Sequence, residues 1–206
     1  MEKRVRNVPP VEDIHKVLDA ADQDVRDYLL TIWHTMARVS EINALRWDDV
    51  NLKDRYVILY TRKKKGGHLT PRKVSMTASL AEVMQRRFDT RDSDLPWVFV
   101  NRYRHPRTGE WHEVRFMRYR KSILRTLCRK AGVNRFTFHA LRHSGASIMD
   151  SANVPTGSIQ RILGHENRTT TEIYLHSLGD AERIAIDRFG QLVEKSHTDS
   201  HTDLPA

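Results

Sequence analysis

A chain of 206 residues, 39% hydrophobic and 30% charged, is long enough for one sizeable core and too apolar for a disordered segment. Its apolar runs are only a few residues long, which excludes a membrane-spanning helix, and Met1-Glu2-Lys3-Arg4 leads into polar sequence rather than a signal peptide. The formal net charge of +9 points to a polyanionic partner, and the lone Cys128 excludes an internal disulfide and fits a reducing cytoplasm.

Residues 1–10, ending in Pro9-Pro10, read as a linker remnant. From Val11, the apolar positions Val11, Ile14, Leu18 and Ala21 follow helical spacing, and Val25, Tyr28, Leu29, Ile32, Trp33 and Met36 repeat it. A third helix is predicted from near Ser40 through Ile42 and Leu45 to Trp47, broken by Asp48-Asp49 and Asn51. Period-two alternation follows. Tyr56–Thr61 is β-branched and aromatic, and Lys73–Met76 is a shorter partner, so a hairpin with a long basic tip around Gly66-Gly67 is expected. Helix Ala78–Phe88 comes next, with Val98-Phe99-Val100 as a third strand. Arg102–His112, with Pro106 and Gly109, reads as an exposed loop or a second small hairpin.

The remainder is helical: Phe116–Ala131, Ala140–Ala152, Thr156–Leu163, Thr169–His176 and Ala181–Glu194. Cys128 shares an apolar stripe with Ile123, Leu124 and Leu127, which reads as a core thiol. Residues 196–206 lack periodicity and are expected to be a disordered tail. No repeat and no internal linker interrupts 11–195. The fold class is therefore mainly α with a small antiparallel β-sheet (α+β) in one domain.

Basic residues cluster within ordered segments. Arg62-Lys63-Lys64-Lys65 and Arg72-Lys73 flank the hairpin tip, and a further series runs from Arg115 to Arg129. Held in this way, they read as a phosphate-binding face rather than a solvated tail. Elsewhere four short motifs stand in order: Arg38-Val39-Ser40-Glu41, His139-Ala140-Leu141-Arg142, Leu163-Gly164-His165, and Tyr174 ahead of Leu175-His176. Singly, each has an ordinary explanation. A tyrosine on an amphipathic helix is usually half-buried packing, a histidine after glycine often caps a helix, and an arginine near a glutamate is often an ion pair.

Together, in this order and spacing, they resemble the tyrosine recombinase family, also called phage integrases, over roughly residues 11–194. The likeness extends to Ser40-Glu41, to His143-Ser144 and to Ala146-Ser147. It implies the catalytic domain of a site-specific DNA recombinase, 11–195, in which Tyr174 attacks a phosphodiester to give a 3′-phosphotyrosine. Arg38 and Arg142 would offer charged forks to the phosphate, with Glu41 supporting them, and His139 and His165 would donate or shuttle protons. A phenol of ordinary pKa about 10 needs such surroundings to react.

The resemblance also implies a hairpin lysine that protonates the leaving 5′-oxygen. Lys63 is preferred, Lys64 falls on the opposite strand face, and Lys65 stays a rival because the tip is long. Arg62, Lys64, Lys65, Arg72 and Lys73 would grip DNA. Family members often have Gly-Leu ahead of the first arginine, where this chain has Met36-Ala37, so different packing is expected there. An N-terminal DNA-binding domain is usual in the family, while barely ten residues precede the region here, which reads as an isolated or truncated domain.

No cofactor or metal is expected. His139 and His143 lie four apart, but no cysteine pair or glutamate-containing zinc motif accompanies them, and phosphotyrosine chemistry conserves bond energy without ATP. The expected partner is double-stranded DNA, with self-association as a tetramer through the stripe Ile184, Ile186, Phe189 and Leu192, no membrane, and a cytoplasmic, nucleoid-associated location. Two other readings stay open: a type IB topoisomerase-like enzyme, and a DNA-binding accessory protein that does not cut.

Overall fold

Three helix starts in this chain are written by side chains that accept the orphan N–H groups of first turns. Asp22 accepts from the Val25 N–H at 2.9 Å and starts α2 (Gln23–Thr35). Thr77 starts α4 (Ala78–Asp89), accepting from Leu80, and Thr137 starts α6 (Phe138–Ser151), accepting from Ala140 at 3.1 Å. The computed structural model describes residues 8–62, 68–91, 94–115 and 122–164. The chain falls into two units, Met1–Glu166 and Asn167–Ala206, and all described residues belong to the first.

The other described helices are α1 (Val11–Asp19), the single turn α3 (Val39–Ile42), α5 (Ser122–Lys130) and α7 (Thr156–Leu163). Two antiparallel sheets accompany them. The first has the order β1-β2-β3, with β1 (Val50–Asn51), β2 (Tyr56–Arg62) and β3 (Leu69–Ser75); the second pairs β4 (Val100–Arg104) with β5 (Trp111–Arg115). In the β2–β3 register Val57 faces Val74 and Leu59 faces Arg72. One face of that hairpin buries Val57, Leu59, Thr61 and Val74, as period-two alternation requires. Their core partners are Ile14, Leu18, Tyr28, Leu29, Ile32, Ile42, Leu80, Leu124, Cys128 and Leu141, so Cys128 is a core thiol as expected. A smaller cluster of Met36, Ala146, Ile159 and Leu163 seats α7 beside α6.

Three expectations change. The third helix stops after one turn, because the Trp47 N–H donates to the Pro96 carbonyl (2.9 Å) and the Leu45 carbonyl accepts from Val98 (3.1 Å). Pairing 45–47 with 96–98 uses backbone groups that a longer helix would need. The third strand of the main sheet is consequently β1, whereas Val100 opens the separate β4–β5 hairpin. Finally, β3 is as long as β2 rather than shorter. Helix α7 has its predicted bounds, and α2, α4 and α6 shift by a residue or two. The expected helices Thr169–His176 and Ala181–Glu194 and the expected tail lie outside the described residues.

Candidate phosphate-binding site

The site is assembled where four helices begin or end. Helix α2 closes on Met36 in the left-handed conformation (φ 48°, ψ 36°), which turns the chain so that Arg38 caps the start of α3. Helix α6 presents His139 at its first turn and Arg142 one turn further in. Helix α7 ends at Leu163 with Gly164 in the left-handed region at φ 65°. Between α3 and α6 lies an open cleft of about 570 Å³, lined by Arg38, Ser40, Asn43, Thr137, His139 and Arg142 among others.

Arg142 is only 1% exposed, although its guanidinium is always a candidate for solvent. Two helix ends hold it: Nη1 donates to the Met36 carbonyl at 2.7 Å and Nη2 to the Leu163 carbonyl at 2.5 Å. C-terminal carbonyls carry partial negative charge, which suits a cation. Burial, and then the like charges of Arg38 and Arg72, push its pKa down to about 9, with Glu41 acting in the opposite sense. The group is still a cation at neutral pH, and an incoming anion would relieve the strain on it.

Glu41, buried, organises the other side. Its carboxylate accepts from the Arg38 N–H (2.8 Å), Arg38 Nη1 (3.1 Å), the Thr61 hydroxyl (2.6 Å) and Arg72 Nη2 (2.8 Å). Burial pushes its pKa up, but the hydrogen bond and charge of Arg72, then Thr61 and the Arg38 N–H, outweigh this and leave it below the usual value. Two guanidinium groups, those of Arg38 and Arg72, thus contact one carboxylate, and a third, that of Arg142, feels its charge. The imbalance leaves net positive charge beside the cleft, and Arg38, with 38% of its side chain exposed, is the arginine that opens onto it.

A family model described as the phage integrase family matches residues 10–180 of this chain. The chain belongs to the phage integrase family. Tyrosine recombinase XerA of Pyrococcus horikoshii is 31% identical over 185 residues, 89% of this chain and 61% of that protein. The integrase of Salmonella phage P22 is 25% identical, covering 84% of this chain and 44% of that protein. The crystal structure of XerA recombinase superposes with a TM-score of 0.69 at 25% identity, across 92% of this chain and 65% of that one. The Tn1549 transposon integrase in complex with a circular intermediate DNA shares the fold at a TM-score of 0.69 and 19% identity. The chain therefore spans about three fifths of the length of its XerA relatives.

Of the residues expected from the sequence of this phage integrase family member, Arg38, Glu41, His139 and Arg142 come together at one place. Lys63, Lys64, Lys65, His165 and Tyr174 lie outside the described residues, as does the stripe from Ile184 to Leu192; nothing of the Arg62 side chain is described either. Lys73 is exposed on the outer hairpin face, with Nζ 3.9 Å from the centre of the Tyr56 ring. Arg72, expected to grip DNA with Lys73, has a side chain only 10% exposed, and all three of its guanidinium nitrogens are engaged within the protein. The signal was available: Arg72 stands two residues from buried Val74, and alternation sends both inward. Sequence reasoning also missed Thr61 and the carbonyls of Met36 and Leu163, whose roles depend on tertiary contacts.

Proposed function

We propose that this chain is the cutting and rejoining domain of a site-specific DNA recombinase. The observation that carries the reading is the cationic cleft in which Arg38, Arg142 and His139 converge beside a single compensating carboxylate. A phosphodiester entering it would be gripped by permanently charged forks, and attack on phosphorus would gather charge on the non-bridging oxygens that those forks face. Tyr174 supplies the nucleophilic oxygen, forming a 3′-phosphotyrosine, and the 5′-oxygen leaves with a proton from Lys63. The alternation that buries Val57, Leu59 and Thr61 favours Lys63 over Lys64 in that role. His139 and His165 hydrogen-bond the phosphate or carry protons. A 5′-hydroxyl from another strand reverses the step, so exchange requires no external energy source.

The substrate is double-stranded DNA, a reading supported by the Tn1549 integrase having been solved in complex with a circular intermediate DNA. Strand exchange calls for several copies on that DNA, and the apolar stripe Ile184, Ile186, Phe189 and Leu192 is the segment proposed to join them as a tetramer. A nicked suicide duplex tests the chemistry. The parent chain should form a covalent protein–DNA adduct that Tyr174→Phe abolishes, and Lys63→Ala should slow adduct formation by about 100-fold, the upper part of the range for acid–base catalysis. An adduct that survives Tyr174→Phe removes the proposal.

A further inference from the structure

Arg72 connects parts of the site that are far apart in sequence. Its Nε donates to the Ile162 carbonyl at 2.9 Å, in the last turn of α7. Its Nη1 donates to the Thr61 hydroxyl at 3.0 Å on β2, and its Nη2 to Glu41 at 2.8 Å on α3. The adjacent α7 carbonyl, Leu163, is the one that accepts from Arg142. The result is a ring: Arg142 to the end of α7, α7 to Arg72, Arg72 to Glu41, Glu41 to Arg38, and back along the chain to Met36, whose carbonyl accepts from Arg142. Both arginines of the cleft are members, and Arg72 is the member that links their two halves.

We propose that Arg72 is a positioning residue that fixes the separation of the Arg38 and Arg142 guanidiniums, so that both meet one phosphate during strand cleavage. The inference rests on the phosphate-site reading above. Three features support it beyond the bonds themselves. The fork of a guanidinium reaches three acceptors in fixed directions, which a lysine ammonium at the same place cannot reproduce. The site leaves no slack, because a Cβ on Gly164 would come within 3.1 Å of Arg72 Cδ and 3.3 Å of its Nε. Moreover, Arg72 is not among the residues that line the cleft, whereas Arg38 and Arg142 are, so its contribution passes through its partners.

A shift of about 1 Å in a positioned group is enough to cost roughly 100-fold in rate. The test compares Arg72→Lys with the parent full chain in single-turnover cleavage of the suicide duplex, and separately in equilibrium binding of the same duplex. The expected result is adduct formation slowed by about 100-fold, with the dissociation constant changed by less than about two-fold. Val83→Ala, a core truncation in α4 remote from the cleft, controls for lost stability and should cleave like the parent at a temperature where both are folded. Thr61→Val, which removes one acceptor while keeping the shape, should slow cleavage in the same direction by about ten-fold and serves if Arg72→Lys folds poorly. Parent-like cleavage in Arg72→Lys, or in Thr61→Val if Arg72→Lys does not fold, overturns the positioning role. Affinity falling in step with rate overturns it too, because Arg72 would then be a DNA contact. A parent chain that forms no adduct removes the proposed cleavage itself and this role with it, whereas a reactive parent beside an equally reactive Arg72→Lys removes only the latter.

Discussion

Two buried carboxylates in this protein each hold two arginines, yet they do different work. Asp27 on α2 accepts from Gln23 at 2.8 Å and from Arg86 and Arg87 on α4. Arg87 also pairs with Asp24 at 2.9 Å and lies over the Phe99 ring. Two carboxylates there balance two guanidiniums, and the assembly staples α2 to α4. Glu41 by itself pairs with the guanidiniums of Arg38, which opens onto a cleft, and Arg72, and its charge is also felt by a third, that of Arg142, whose pKa is depressed by burial and like charge. Similar residues make a neutral staple in one place and an anion-seeking site in the other. The count of charges decides, not the presence of an ion pair.

The largest expected effect breaks that comparison directly. Glu41→Gln and Asp27→Asn should each lower unfolding free energy by about 3 kcal/mol, since each removes the charge of a buried carboxylate that two arginines share. Only Glu41→Gln should also slow adduct formation, and equal cleavage in the two variants would erase the distinction. The acid limb belongs to the same test. Because Glu41 titrates below its usual value in the folded protein, its stabilisation is complete above about pH 4.5 and is lost as pH falls through the lower folded value. Urea melts across that range should show a shallower acid loss in Glu41→Gln.

A smaller effect probes the backbone behind Arg142. A Cβ on Gly145 would stand 2.7 Å from Met36 Cγ and 3.3 Å from the Trp33 carbonyl, so Gly145→Ala should destabilise by about 2 kcal/mol through overpacking. Met36 also occupies a left-handed conformation that glycine adopts freely. Met36→Gly relieves that strain but forfeits a side chain only 3% exposed, so by itself it should be a net loss of about 1 kcal/mol. Combined, the two substitutions should cost less than their sum, and additive melting shifts would show that the clash is absorbed elsewhere.

The smallest effect is expected at His34, whose Nδ1 is 2.6 Å from the Thr77 hydroxyl at the start of α4. Burial, and then His15, hold its pKa below 6.5. The unfolded chain therefore binds the proton more readily, so stability is full above pH 6.5 and declines as pH falls below it. His34→Gln should flatten that decline, and an unchanged slope would assign it to other groups.

Much of the fold was legible because its signals are local. The apolar period of 3.6 residues located α1, α2, α4 and α7, and alternation located β2 and the buried face of the hairpin. The one-turn α3 was not legible, since pairing of 45–47 with 96–98 is a long-range exchange that no window of sequence contains. At the site, Arg38, Glu41, His139 and Arg142 were recognisable from order and spacing. The inward placement of Arg72 was legible in its parity with Val74, but its charge alone drew the reading of a DNA contact.

The sequence by itself determined the helical periods, the hairpin alternation and the motif set that marks the family. These follow from side-chain spacing along a regular backbone. Only the tertiary structure decided which cations face the cleft and which serve as struts. An arginine's role depends on the acceptors brought within reach of its fork, and those of Arg72 and Arg142 are the ends of helices remote along the chain.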